Sequence, residues 1–211
     1  MLFIFDWDGT LSDSTEKIIT CMKRAAVKLH LPMLADTEIR EIIGLGLPEA
    51  IAQIYPSASP RDRAALGVEY GRQFTMADQQ PSAFYPQVLE TLGALRSSGH
   101  QLSVATGKSR RGLDRVLRTL QLSDFFDATR CADETVSKPD PKMLHELLRY
   151  FRCDASEAVM VGDTEYDMAM ACAADMPRVA VSYGAHHIGR LRRYNPLLCV
   201  DEMPQILTLI E

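Results

Sequence analysis

Apolar residues open the chain in an unbroken run, Leu2 to Phe5, which stops at Asp6, Trp7 and Asp8. A short continuous apolar run closed by a turn glycine, here Gly9, reads as a strand buried on both faces. The rhythm then changes. Ile18, Met22, Ala25 and Leu29 fall at helical spacing, and Asp13 with Glu16 three positions on predicts a capping box at the helix start. Further helical patterns run from Asp36 to Ile43, from Pro48 to Tyr55 and from Pro60 to about Met76, with starts at Asp36, at first-turn Pro48 and at Ser59-Pro60. From Asp13 to about Ala83 no strand pattern intervenes.

Beyond Pro86 strands and helices alternate. The helix "VLETLGALRSSG" closes on Gly99 and leads into the strand "QLSVA", ending at Thr106. A helix over Arg110 to Leu120, a weak strand near Ala128 to Cys131 and a helix over Pro141 to Phe151 follow. Next come the strand "AVMVG" ending at Asp163, a helix over Glu165 to Ala174, the strand "RVAVS", and a final short strand and helix. Such alternation predicts an α/β fold, a Rossmann-like doubly wound parallel sheet built by right-handed crossovers. The first strand must join that sheet, because a short apolar run is not stable alone. Residues 1–12 and 84–211 therefore form the expected α/β core, and residues 13–83 an inserted all-helical cap.

The 211 residues, 46% of them hydrophobic, suffice for one core plus a smaller lobe. With 23 Lys+Arg against 28 Asp+Glu the formal charge is -5, and no dense basic run supports a nucleic-acid partner. The five cysteines, Cys21, Cys131, Cys153, Cys172 and Cys199, lack a ligand spacing and read as reduced core residues of a cytoplasmic protein. The apolar opening is too short for a signal peptide or a membrane span. No heptad or exposed stripe sets an oligomeric state.

Candidate chemistry collects where ligands gather in open parallel sheets, at the carboxyl ends of the strands. There stand Asp6 and Asp8, then Thr106-Gly107-Lys108, Ser137-Lys138-Pro139, and Gly162-Asp163-Thr164 with Asp167 close behind. Paired acids are costly to desolvate and call for a cation, a proton or a reaction as compensation. Hard carboxylate oxygens suit Mg²⁺, and a hydroxyl, amides and an ammonium suit a phosphate. No catalytic His or Cys joins them.

In order and spacing, "DWDGTLSDS", "VATGKS", "SKPDP" and "VGDTEYD" resemble the motifs of the haloacid-dehalogenase-like hydrolase superfamily. The likeness is to its phosphoglycolate-phosphatase-like branch, which carries a helical cap after the first motif. It spans Met1 to about Tyr183, and "EIIGLGLPEAI" also looks like that branch's cap. Trp7 departs from the smaller apolar residue usual between the two acids. The resemblance implies a Mg²⁺-dependent phosphoric monoester hydrolase of a small phosphorylated metabolite, with phosphoglycolate a candidate.

The same chemistry assigns roles. Asp6 is the expected nucleophile, forming an aspartyl-phosphate, and Asp8 protonates the leaving alcohol and then activates water. Asp6, the backbone carbonyl of Asp8, and Asp163 are the expected Mg²⁺ ligands. Thr106 and the Gly107 amide bind phosphoryl oxygens at a helix start, Lys138 neutralises charge, and Asp167 supports metal-bound water or Lys138. In "GLGLPEA", Gly44 and Gly46 let the backbone approach a substrate carboxylate. Each piece also has a plainer meaning: Lys138 as a solvated loop lysine, Asp163 and Asp167 as helix-start acids; Lys108, Arg110 and Arg111 read either as contacts for a substrate's distal anion or as a solvated helix start. His186 and His187 read as surface or substrate-side histidines, and Met168, Met170 and Met176 as core filling. A sugar phosphomutase using the same two aspartates and a phospho-acceptor signalling receiver are the competing functions. Dehalogenation is disfavoured, because Asp8 supplies an acid that it does not need.

Overall fold

The computed structural model describes residues 1–210. β1 (Leu2–Phe5) is followed by four helices, α1 (Thr15–Lys28), α2 (Asp36–Arg40), α3 (Leu47–Ile54) and α4 (Pro60–Ala77). Then α5 (Val88–Ser97), β2 (Gln101–Thr106), α6 (Arg110–Thr119), β3 (Ala128–Cys131), α7 (Lys142–Phe151) and β4 (Ala158–Gly162) alternate. The chain continues through α8 (Glu165–Ala173), β5 (Arg178–Val181), α9 (Ile188–Leu191) and β6 (Leu198–Val200), and a 3₁₀ segment covers Met203–Leu209.

All six strands pair in parallel, in the order β3-β2-β1-β4-β5-β6. β1 sits centrally, with Phe5 opposite Val104 on one side and Val161 on the other. Its side chains alternate: Phe3 and Phe5 enter the core beneath α5 and α6, whereas Leu2 and Ile4 pack against residues of α7 and α8. That two-sided burial explains the unbroken apolar run. Trp7 continues the first face, edge-on to Phe84 and Phe126. Winding reverses at β1, with β2 on one side and β4 on the other, so the switch-point crevice opens at Asp6.

The helices between β1 and α5 have a core of their own, in which α1 contributes Ile19 and Met22, α3 Ile51 and α4 Leu66. Three local expectations are corrected. The Asp13–Glu16 box does not form: Ser14 is the N-cap of α1, and its hydroxyl bonds Asp8 Oδ1 at 2.6 Å rather than the helix backbone. The second helix ends at Arg40 instead of Ile43, in turns leading to Gly44 at φ +100°. The final helix is 3₁₀. Met168, Met170 and Met176 are fully buried core residues, whereas only Cys21 and Cys131 of the cysteines are buried and Cys199 is exposed.

Candidate active site

Asp6 continues β1 by one residue, its amide donating to the Val161 carbonyl at 2.9 Å. Strand pairing thus fixes a carboxylate at the switch point. Its side chain is buried beside Lys138, whose Nζ lies 2.8 Å from Asp6 Oδ1 and 2.6 Å from Asp167 Oδ1. The other Asp6 oxygen, Oδ2, is buried without a hydrogen-bond partner. Burial raises the Asp6 carboxyl well above the ordinary 3.8, and Lys138 opposes that rise while the charges of Asp167 and Asp163 add to it.

Asp163 directly follows β4 and is held on both oxygens, by the Thr10 hydroxyl at 2.7 Å and the Ala185 amide at 2.7 Å. The backbone comes so close that a Cβ at Gly9, where φ is +85°, would collide with this carboxylate. The glycine of "DWDGT" is therefore required twice, by its conformation and by the approach. Burial first, then Asp167, pushes the Asp163 carboxyl up to about 7. Asp167 sits in the first turn of α8, one oxygen on Lys138 and the other accepting from the Thr164 amide at 3.0 Å and hydroxyl at 2.7 Å. The Lys138 ammonium is disfavoured by burial, but Asp167 and Asp6 more than offset this and raise its pKa.

One oxygen from each of Asp6, Asp163 and Asp167 lies within 4.8 Å of the others. Three hard carboxylates, one with an unpartnered buried oxygen and two with raised pKa, fit a divalent cation of the Mg²⁺ type. The Asp8 carboxylate does not belong to this cluster. It turns aside to the Ser14 hydroxyl and to Lys108, whose Nζ is 3.0 Å from Oδ1.

Thr106, at the end of β2, is buried and accepts from the Lys108 amide at 3.2 Å. Gly107 lies beneath the α2–α3 loop: a Cβ there would stand 2.5 Å from the Leu45 carbonyl and 2.6 Å from that of Gly44. Gly44 reaches the wall of the cavity over Asp6 and Asp8, but the Gly46 amide donates to Ser137 Oγ at 2.7 Å and is spent on closing the loop onto the core. That hydrogen bond occupies one of the amides of "GLGLPEA" that were expected to meet a substrate carboxylate.

Two residues named from the sequence have partners that its patterns did not show. Lys108 joins Asp8 to the helical insertion, its ammonium lying 4.6 Å from the centre of the Phe74 ring. His186 is buried rather than on the surface, accepting from the Glu165 amide and meeting the Glu41 carbonyl across the interface; burial lowers its pKa. His187 caps α9, accepting from the Gly189 amide at 3.1 Å. The long-range partners of Lys108 and His186 leave no local sequence signal.

Residues 3–181 match the family described as haloacid dehalogenase-like hydrolase. The chain belongs to that family. It is 32% identical over 210 residues to a Dickeya dadantii protein named "Probable phosphatase IndB", covering 98% of this chain and 91% of that one. It is 28% identical to the phosphoglycolate phosphatase of Vibrio cholerae, covering 99% and 96%. A hydrolase of Pseudomonas syringae shares the fold, with a TM-score of 0.89 at 23% identity over 100% of this chain and 96% of that one. The chain is an enzyme of the phosphatase type, a phosphoric monoester hydrolase. The receiver alternative is thereby set aside.

Proposed function

We propose that the chain hydrolyses the phosphate monoester of a small metabolite, with Mg²⁺, through an aspartyl-phosphate on Asp6. The observation that carries this is the pair of unlike oxygens on Asp6: Oδ1 is held by Lys138, while Oδ2 is buried with no partner. An acceptor left so is costly unless a cation or an electrophile completes it.

In the first half-reaction an Asp6 oxygen bonds phosphorus as the bond to the leaving oxygen breaks, and Asp8 gives that oxygen its proton. In the second, Asp8 takes a proton from water, the water oxygen bonds phosphorus, and the acyl-phosphate bond breaks to return the Asp6 carboxylate and inorganic phosphate. Ser14 and Lys108 orient Asp8 at the crevice. Lys138 and the Gly107 amide face the charge that grows on the phosphoryl oxygens, and Asp167 holds Lys138 in place. Asp6, Asp163 and the Asp8 carbonyl would hold Mg²⁺, which supplies charge neutralisation between two anions. The helical insertion serves as a cap that excludes bulk water.

The test is phosphate release from a panel of phosphomonoesters, phosphoglycolate included because relatives carry that name. Activity is expected with Mg²⁺, lost in EDTA and restored by Mg²⁺. Stoichiometric inorganic phosphate separates a phosphatase from a phosphomutase. Equal rates in EDTA would overturn the metal assignment.

A further inference from the structure

The cavity above Asp6 and Asp8 is about 540 Å³. That is within the range of clefts that bury drug-sized ligands, and more than a two-carbon leaving group needs. Its wall is mostly aliphatic and aromatic, including Ile18, Met22, Ile43, Tyr70 and Phe74, with Thr75 and Ser109 among its polar residues. Three of the four cations lining it are already spent on carboxylates: Lys108 on Asp8, Arg115 on Asp78 and Arg72 on Glu69. The fourth, Arg111, is exposed. A second anion close to the phosphate therefore finds no uncommitted ammonium or guanidinium on the inner wall.

The insertion's longest helix carries a second sign. Gly67 and Gly71 lie four residues apart within α4, and both line the cavity. A glycine inside a helix is unfavourable by about 1 kcal/mol relative to alanine. Packing does not require it at Gly71, where a Cβ would meet no heavy atom within 4 Å; at Gly67 a Cβ would make only ordinary contact, 3.5 Å from Ile51 Cδ1. Tyr70 and Phe74, ring centroids 5.7 Å apart, alternate with the two gaps. The helix thus offers aromatic faces beside a space cleared of side chains.

Resting on the phosphatase reading, we infer that the substrate is a phosphomonoester whose leaving alcohol carries a bulky, largely apolar ring, seated in the Gly67–Gly71 gap between the α4 aromatics, rather than a small dianionic acid such as phosphoglycolate. Burying a ring there gains binding from apolar area that the two-carbon acid lacks, and the acid's carboxylate would meet no uncommitted cation on the inner wall.

The experiment compares kcat/KM for 2-phenylethyl phosphate, ethyl phosphate and phosphoglycolate, all esters of unactivated alcohols, with Mg²⁺, alongside p-nitrophenyl phosphate. The phenylethyl ester is expected to exceed both others by at least about tenfold, the lower range of what one buried apolar group contributes to discrimination. Gly71→Leu, which fills the gap, should cut the phenylethyl-to-ethyl ratio at least about tenfold, while Gly71→Ala should cut it less and raise Tm. Phosphoglycolate turned over as well as or better than the phenylethyl ester, with p-nitrophenyl phosphate hydrolysed, would overturn the ring inference and leave the phosphatase reading standing. No hydrolysis of any of the four would overturn both. The wild-type ratio decides the matter even if Gly71→Leu fails to fold.

Discussion

Lys138 Nζ lies 2.8 Å from Asp6 Oδ1, and neither side chain is open to water. The ammonium is anchored on its far side by Asp167 at 2.6 Å, so one lysine balances two buried carboxylates. Removing one partner of such a set leaves uncompensated charge, which costs roughly 3–5 kcal/mol. Lys138→Met should therefore lower stability by about that amount in urea unfolding without Mg²⁺. It should also lower kcat by about 10²-fold or more, since the cation that faces the phosphoryl oxygens is lost. A variant of wild-type stability would show that the buried pair contributes nothing to the fold.

Asp163 gives a pH signature. Its carboxyl is ordinarily near 3.8 and is pushed up to about 7 in the fold, mainly by burial. A raised folded pKa means that its contribution to stability is fully present below about 3.8 and is lost as pH rises towards 7 and through it. Ionised Asp163 is also the form that binds a cation. Mg²⁺ should therefore raise Tm more at pH 8 than at pH 5.5, as thermal unfolding at fixed Mg²⁺ concentration would show. Equal Tm gains at both pH values would contradict the role assigned to this carboxylate.

The central strand and most of the alternating elements were legible because their signals are local. Leu2–Phe5 is apolar throughout since both faces of β1 are covered, and helical stripes such as Ile18–Met22–Ala25 bury one face. Asp6, Lys138, Asp163 and Asp167 could be listed from their positions after strands and loops, and the fold brings all four together. What could not be read depends on partners far along the chain. The sequence pattern puts the cap at Asp13 and passes over Ser14, whose hydroxyl donates to Asp8, and Lys108 looks like a solvated helix start until it meets Asp8 and Phe74. Gly46 looked free to offer an amide, but Ser137, distant in sequence, accepts it.

Asp8 should reveal itself by leaving-group dependence. It is held at the crevice by Ser14 and Lys108 but stands apart from the acid cluster. Asp8→Asn should lower kcat/KM for an alkyl phosphate by about 10²–10⁴-fold, the range for loss of a general acid. For p-nitrophenyl phosphate, whose leaving group needs little protonation, the loss should be smaller by about tenfold or more. Equal losses on both substrates would remove Asp8 from the role of acid.

The most direct test of the account is to find where the phosphoryl group goes. Asp8→Asn protein, in which the second half-reaction is slowed, is mixed with p-nitrophenyl phosphate, whose leaving group needs little protonation, and Mg²⁺, quenched in acid and digested for mass spectrometry. One hydroxylamine-labile phosphoryl group is expected on Asp6, within the peptide that begins at Met1, and Asp6→Asn should show neither the label nor turnover above about 10⁻³ of wild type. A phosphorylated residue other than Asp6, or an Asp6→Asn protein that folds and hydrolyses the ester at a near-normal rate, would contradict it.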